Sequence, residues 1–294
     1  MKRDLDTLLT ALYVFCDDHV VEPRRIGRPP RLSDAELLCL AIAQVLLGFP
    51  STRHWIRFVD SRLGHLFAYL PGQSGYNKRL NNAGPLITRA LDHLARQAPT
   101  WDDDLRLIDS TPLPCAASRE TVKRSQLAGQ AGYGYCRSHS RFFWGYRLYL
   151  VTTAEGMPIT WCLAHPKIGE REVMAALLER DHDLVRAGQV ILADKGFAGR
   201  DFEHFVSQRL GCYLVRPDRK DEKPRHGKLV RSRQWIEAVI DTLKGQLSLE
   251  QHGGRTPAGV FARTAQRLLA MAAAIWHNWE TNAPAKRSLI AYDH

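Results

Sequence analysis

Three acidic residues, widely spaced along the chain, are the strongest candidates for chemistry. Asp109 follows Leu105 and Leu107 on the same side of a predicted strand, so it is an acid on an otherwise apolar face. Asp194 ends the apolar run 190–193, which is typical of a strand buried on both faces. A carboxylate at such a place is costly unless it is paired, hydrogen-bonded or bound to a cation. Either aspartate taken alone is more often a helix cap or an ion-pair partner.

Glu237, the third acid, lies on a predicted helix over residues 233–248. The apolar stripe of this helix contains Ile236, Ile240, Leu243 and Leu247. An adjoining charged stripe contains Arg233, Glu237, Asp241 and Lys244. By itself, that stripe predicts a surface face with ion pairs between residues four apart.

Taken together, the three acids predict a site for hard divalent cations. Mg²⁺ prefers oxygen ligands, and phosphoryl-transfer sites supply a few carboxylates while the phosphate supplies the rest. Two ions about 4 Å apart can activate an attacking oxygen and neutralise a leaving one. A carboxylate set without a cluster of His or Cys disfavours zinc. We therefore expect two Mg²⁺ ions, with Mn²⁺ able to replace them.

The charge of the chain indicates a polyanionic partner. The net charge is +10 and the isoelectric point is about 9.5. Residues 216–233 hold 8 basic and 3 acidic residues, which is typical either of a DNA-contacting segment or of a solvated loop. Its candidate DNA-binding residues are Arg216, Arg219, Lys220, Lys223, Arg225, Lys228 and Arg231. A basic linker with the core Gly-Arg-Pro adds Arg28, as a minor-groove arm or as plain linker.

The pattern of elements divides the chain at about residue 98. Helices are predicted over 4–22, 33–48, 51–70 and 76–98, which makes residues 1–98 an all-helical domain for DNA binding or assembly. Beyond it, strands are predicted over 105–114, 144–153, 157–166, 190–193 and 212–217, with helices over 171–185, 199–211, 233–248 and 257–280. We interpret the Gly-rich stretch 129–141 as a mobile basic loop. The prediction for 99–294 is an α/β fold, a mixed sheet flanked by helices.

The remaining composition excludes other classes of protein. The six cysteines are scattered without a C-x-x-C pair, so we expect free structural thiols rather than a zinc site. No apolar run reaches the roughly 18 residues of a membrane helix. The N-terminus has no secretory signal, and we expect a cytoplasmic protein without a membrane partner.

Four blocks in this sequence resemble the DDE transposases of bacterial insertion sequences. The blocks, in order, are IDSTPL (108–113), FFWGYRLYLVTTAEGMPITWCLAHP (142–166), VILADKGF (190–197) and the pattern RxxxExxxxxxK from Arg233 to Lys244. The resemblance implies an RNase H-like catalytic core over 99–294, with Asp109, Asp194 and Glu237 as the catalytic, metal-binding triad. Arg233 and Lys244 match two positions of a Tyr-Arg-Glu-Lys signature, whose Tyr position is occupied here by Val230. This departure concerns the contacts with the DNA strand end, not metal binding.

The resemblance also implies an activity and its partners. The enzyme would hydrolyse a phosphodiester at the end of the element and then join the freed 3′-hydroxyl to target DNA. Arg233, Lys244 and Lys195 would lie near the phosphates. The implied partner is double-stranded DNA, both the terminal inverted repeats and the target, bound by a homodimer or a larger assembly.

Three other functions stay open at this point. A purely structural or regulatory helical protein is one of them, but it would leave the acids of the buried strands unexplained. A related metal-dependent nuclease would use the same carboxylates without joining strands. A derivative that only binds DNA would keep the basic surfaces and usually lose an acid, whereas all three acids are present here. A tyrosine or serine recombinase is disfavoured because no matching Arg/His constellation accompanies Tyr133 and Tyr135.

Overall fold

The structure, a computed structural model, describes residues 3–20, 30–136, 140–219, 222–223, 225 and 230–292, with only the backbone described for 230–233. In chain order the helices are α1 Leu5–His19, α2 Asp34–Leu46, α3 Thr52–Arg62, α4 Gln73–Asn82, α5 Gly84–Gln97, α6 Arg119–Lys123, α7 Glu170–Arg180, α8 Arg200–His204, α9 Val230–Asp241 and α10 Pro257–Glu280. The strands are β1 Leu105–Ala116, β2 Gly132–Cys136, β3 Arg141–Thr153, β4 Pro158–Ala164, β5 Val190–Ala193 and β6 Tyr213–Val215.

The chain folds into two compact units, which do not coincide with the predicted domains. One unit contains Met1–Ala98 together with Leu243–His294, and the other contains Pro99–Thr242. Residues 243–294, which the sequence analysis assigned to the catalytic domain, therefore belong with the N-terminal helices. The physical reason is α10, which is buried on nearly all sides from Gly259 to Asn278 and packs against α1, α2, α4 and α5.

Local sequence signals explain where the helices of the first unit begin. The predicted capping box of α2 is present: the Ser33 hydroxyl accepts from the Glu36 backbone N–H at 3.0 Å, and the Glu36 carboxylate accepts from the Ser33 N–H at 2.5 Å. At α10 the Thr256 hydroxyl accepts from the Gly259 N–H at 3.0 Å, and Pro257 occupies the first turn. The N-termini of α2 and α10 are therefore determined by residues that are close together in the sequence.

The second unit is built on a six-stranded mixed sheet with the order β2-β3-β1-β5-β6. β1 is antiparallel to β3 and parallel to β5, and β5 is parallel to β6. β2 and β4 both pair with β3, at successive stretches of that long strand. α7 packs against β4, and α9 packs against β1 and β5. The predicted fold class, a mixed sheet flanked by helices after an all-helical N-terminal region, is confirmed.

Two strands differ from their predictions. β1 does not stop at its prolines but runs on to Ala116. Pro112 and Pro114 are two and four residues after Ser110, so their backbone nitrogens point to the same side of β1 as that of Ser110. The Ser110 N–H donates to a side chain rather than to β3. On this side of β1, strand β5 pairs only as far as Ile108. Their missing N–H groups therefore fall on an open edge, where proline costs no ladder hydrogen bond.

The Gly-rich segment is the second difference, because residues 132–136 form strand β2 rather than a loop. Tyr133 pairs with Trp144 and Tyr135 with Phe142 across the β2–β3 ladder. The glycines lie on the other face of β2, where a Cβ on Gly132 would come within 2.1 Å of the His165 ring. Glycine here indicates close packing rather than mobility.

All six cysteines lie in the described part of the chain, and none of them forms a disulfide there. Within the part of the chain that the structure describes, no helix is both long and apolar enough to cross a membrane.

Candidate active site

The sheet places Asp109 and Asp194 side by side. Ile108 of β1 pairs with Ala193 of the parallel strand β5, and each aspartate is the next residue of its strand or turn. Residues in register on parallel neighbours point to the same face. Asp109 lines a small cavity on the α9 side of the sheet, with Leu107 of its own strand. The two predicted carboxylates therefore share one face, which is the arrangement that a shared cation requires.

Burial and neighbouring charge both act on the Asp109 carboxyl group. The pKa of Asp109 is raised to about 7: burial is the largest cause, the Ser110 N–H and Arg147 act against it, and the charges of Asp194 and Glu170 add to it. The Ser110 N–H donates to Asp109 Oδ1 at 2.7 Å. Two carboxylates that repel each other in a half-buried position fit a divalent cation, whose charge would relieve the repulsion. The donors that meet here are oxygens, as Mg²⁺ prefers.

Helix α9 brings Glu237 to the same face of the sheet. Ile236, Val239 and Ile240 line the small cavity that also contains Asp109. Of the predicted apolar stripe, Ile236, Leu243 and Leu247 are buried and Ile240 is half-buried. Glu237 follows Ile236 directly, and its side chain is exposed.

The three side chains do not converge into one group. Among the described residues, no three His, Cys, Asp or Glu side chains lie close enough together to hold a metal ion. Asp194 lies close enough to Asp109 for its charge to act on the Asp109 carboxyl group, and Glu237 stays a predicted third member of the site.

A second cluster lies on the opposite face of β1, and the sequence analysis missed it. The Ser110 hydroxyl donates to Glu170 Oε1 at 2.5 Å and accepts from Arg147 Nε at 2.9 Å. Arg147 also forms an ion pair with Glu170 Oε1 at 2.5 Å. Arg147 does carry a signal in the sequence, because it is a charged residue inside the apolar run of β3. Glu170 carries none, since an acid in the first turn of a helix is ordinary.

The turn after Asp194 lies against the start of α7. A Cβ added to Gly196 would come within 3.0 Å of Glu170 Oε2, so the second oxygen of that carboxylate faces the turn. Two residues further on, the Ala198 carbonyl accepts from Arg171 and from Arg219, each at 3.0 Å. The N-terminus of α7 therefore contacts both chain segments that carry the paired aspartates.

The comparison with known families agrees with this geometry. The sequence model described as "Transposase DDE domain" matches residues 100–273, which include Asp109, Asp194 and Glu237. The chain belongs to the transposase DDE domain family. The matched region runs past residue 242, so it covers the sheet unit and part of α10.

Solved structures with a similar course of the chain are also transposases. A piggyBac transposase in a synaptic complex with hairpin DNA is 9% identical, with a TM-score of 0.41, over 95% of this chain and 80% of that one. A Mos1 mariner paired-end complex with Mn is 14% identical, with a TM-score of 0.25, over 95% of this chain and 86% of that one. These scores are too low to carry an argument about the site. No curated protein matches the sequence.

The basic residues predicted to contact DNA are in different situations in this transposase. Lys195 is exposed directly beside Asp194, and Arg219 is exposed with its guanidinium bonded to the Ala198 carbonyl. Lys223 is exposed, and Arg225 is exposed and paired with Glu203. Lys244 lies in the helical unit and pairs with Glu250 at 3.1 Å. Lys220, Lys228 and Arg28 lie outside the described residues, as do the side chains of Arg231 and Arg233.

Arg216 differs from its prediction as a DNA contact. Its side chain is buried and forms ion pairs with Glu203 at 2.6 Å and Glu222 at 2.7 Å. These carboxylates occupy the guanidinium donors, and they raise the pKa of Arg216 above its ordinary value. Arg216 therefore ties the start of the basic segment to α8, and we remove it from the predicted DNA-binding surface.

Proposed function

We propose that this protein is a DNA transposase that hydrolyses a phosphodiester at the end of its element and transfers the freed strand into target DNA. The proposal rests on one observation above all: Asp109 and Asp194 follow the paired residues Ile108 and Ala193 on adjacent parallel strands. A chain of this family that only bound DNA would have no need of two half-buried carboxylates at neighbouring positions of the sheet.

Each acid has a role in this proposal. Asp109 and Asp194 would form the fixed part of the metal site, held by the sheet, and Glu237 would complete it from α9. When bound, two Mg²⁺ ions, or Mn²⁺ in their place, would supply the charge that activates the attacking oxygen and neutralises the leaving one. Glu237 is exposed and follows Ile236 directly, so rotation of its side chain can direct it toward the pocket without moving the helix.

The two reactions use the same site. In the first, the oxygen of water bonds to phosphorus and the bond from phosphorus to the 3′-oxygen breaks, which frees a 3′-hydroxyl. In the second, that hydroxyl attacks a target phosphodiester and the target's 3′-oxygen leaves. No covalent bond between protein and DNA is needed.

The basic residues near the turn after Asp194 would hold the DNA backbone. Lys195 and Arg219 are exposed beside this turn. Contacts with phosphates position the duplex without reading its sequence. Pairing of two element ends would require at least two copies of the chain on the DNA, so we propose a dimer or a larger assembly there.

The test uses the full-length protein and a plasmid carrying the DNA that flanks this gene on both sides. Asp109→Asn, Asp194→Asn and Glu237→Gln should each reduce Mg²⁺-dependent cleavage on the order of 10³-fold, because each removes a charge that holds the metal. DNA affinity, measured by fluorescence anisotropy, should change little. Asp241→Asn is the matched control, since Asp241 is an exposed acid one helical turn after Glu237.

The products separate the proposal from its alternatives. Sequenced junctions between element ends and new target sites support transposition. Efficient cleavage without any joined product would identify a related nuclease instead. Full cleavage by the Asp109→Asn or Asp194→Asn variant would refute the assignment of the site.

A further inference from the structure

Glu170 makes contacts that a helix-capping acid does not need. An acid in the first turn of a helix is favoured by the helix dipole even when it touches nothing else. Glu172, in the same turn of α7, meets that preference and is exposed. Glu170 instead reaches β1 and β3 with one carboxylate oxygen, and its other oxygen faces the turn after Asp194.

These contacts join four parts of the chain that are distant in sequence. Glu170 lies 60 residues from Ser110, and Ser110 lies 37 residues from Arg147. Ser110 is the residue after Asp109, and its N–H holds Asp109 Oδ1. Gly196 is the second residue after Asp194. The carboxylate of Glu170 therefore bridges the two segments that carry the paired aspartates.

The bridge is built from strong, partly buried interactions. The Glu170 side chain is 31% exposed and that of Arg147 is 20% exposed, and a hydroxyl satisfies both groups. Charge-assisted hydrogen bonds of this kind are short and directional. A bridge that fixes Ser110 and the turn with Gly196 also fixes the distance between the Asp109 and Asp194 carboxylates.

We propose that Glu170 is a positioning residue for the metal site: through Ser110, Arg147 and the turn at Gly196, it holds Asp109 and Asp194 at the separation that a divalent cation requires. This inference rests on the proposed function, because it needs the two aspartates to bind metal. Residues behind metal ligands commonly contribute about 10- to 100-fold to metal affinity.

The experiment measures binding of MnCl2 to the full-length protein without DNA, by electron paramagnetic resonance and calorimetry. Glu170→Ala should weaken Mn²⁺ binding about 10- to 100-fold. Glu170→Gln should retain most of the affinity, because the amide oxygen can still accept from Ser110 and Arg147. Glu172→Ala is the control on the same helix turn and should bind as the wild type does.

Two further variants test the bridge from its other ends. Gly196→Ala keeps every charge but presses a methyl group toward Glu170 Oε2, and it should weaken Mn²⁺ binding in the same direction. Ser110→Ala alone should lower the affinity for Mn²⁺. Added to Glu170→Ala, it should lower the affinity little further, because both substitutions remove the same hydrogen bond. Circular dichroism and thermal unfolding identify any variant that fails to fold. If Glu170→Ala fails to fold, the Mn²⁺ affinity of Glu170→Gln is compared with that of Glu172→Ala instead.

The outcomes are distinct. If Glu170→Ala binds Mn²⁺ as the wild type does, or if Glu170→Gln loses as much affinity as Glu170→Ala, the positioning role is overturned. Asp109→Asn serves as the reference for the proposed function. If that variant also binds Mn²⁺ normally, the proposed metal site itself fails. If it loses Mn²⁺ binding while Glu170→Ala does not, only the role of Glu170 fails.

Discussion

At the scale of single residues, the site is defined by carboxylates that the fold keeps at a cost. Asp109 lies half-buried beside Asp194, and its pKa is raised to about 7, with burial as the largest cause. An unfolded chain leaves the same group ionised above about pH 4. The folded state therefore loses stability as the pH rises from about 4 to 7, and the loss is complete above about 7. A bound cation would reverse this penalty.

The metal-free protein should consequently become more stable when this charge is removed. Asp109→Asn should raise the free energy of unfolding at pH 8 on the order of 1–3 kcal/mol, and change it little at pH 4. Urea unfolding in the presence of a chelator at both pH values measures the difference. Addition of Mg²⁺ should stabilise the wild type and leave the variant unchanged. Equal stability of the two proteins at pH 8 would show that the Asp109 carboxylate is not strained by its surroundings.

At the scale of elements, the glycines of β2 led to the prediction of a loop where the structure has a strand. The segment GYGYC contains two glycines and was interpreted as a loop, yet it forms a strand. Its glycines face a close neighbour: a Cβ on Gly134 would lie 2.6 Å from the Phe143 ring and 2.7 Å from Pro166 Cβ. Only a residue without a side chain permits this approach of β2 to the segment after β4.

Gly134→Ala should therefore loosen the hairpin. The added methyl group overpacks the contact, which costs about 1–3 kcal/mol. Backbone amides of β2 should then exchange with deuterium about 5- to 150-fold faster, because about 1.4 kcal/mol corresponds to a factor of ten. Gly72→Ala is the control, since a Cβ there meets nothing within 4 Å. If the exchange of β2 is unchanged in Gly134→Ala, the glycine is not there for packing.

At the scale of the whole molecule, one unit is assembled from both ends of the chain. α10 supplies a central apolar helix to the N-terminal helices, and Leu268, Leu269 and Met271 are fully buried in it. Residues of α10 thus contribute to the core of the same unit as the N-terminal helices.

Leu269→Ala should destabilise this unit by about 2–5 kcal/mol, through lost burial and the cavity that remains. Amides of α2 and α5 should lose protection from hydrogen exchange, although neither helix is changed in sequence. Glu280→Ala, at an exposed position in the last turn of α10, is the control. Unchanged protection of α2 and α5 in Leu269→Ala would contradict the contribution of α10 to the N-terminal core.

The sequence by itself determined the features that depend on near neighbours along the chain. The capping box at Ser33, the turn at Gly156 between β3 and β4, and the apolar stripe of α9 follow from local preference and periodicity. The prediction of Asp109 and Asp194 as a pair also came from the sequence, through their apolar strands and the family resemblance. Local signals suffice for such features because they act over a few residues.

Only the tertiary structure decided which distant segments meet. The register of Ile108 with Ala193 places the two aspartates on one face. The contact of Glu170 with Ser110, the burial of Arg216 between two glutamates and the packing of α10 with the N-terminal helices likewise join residues far apart in sequence. These pairings depend on the free energy of the whole packed core, and no local pattern in a single sequence records them.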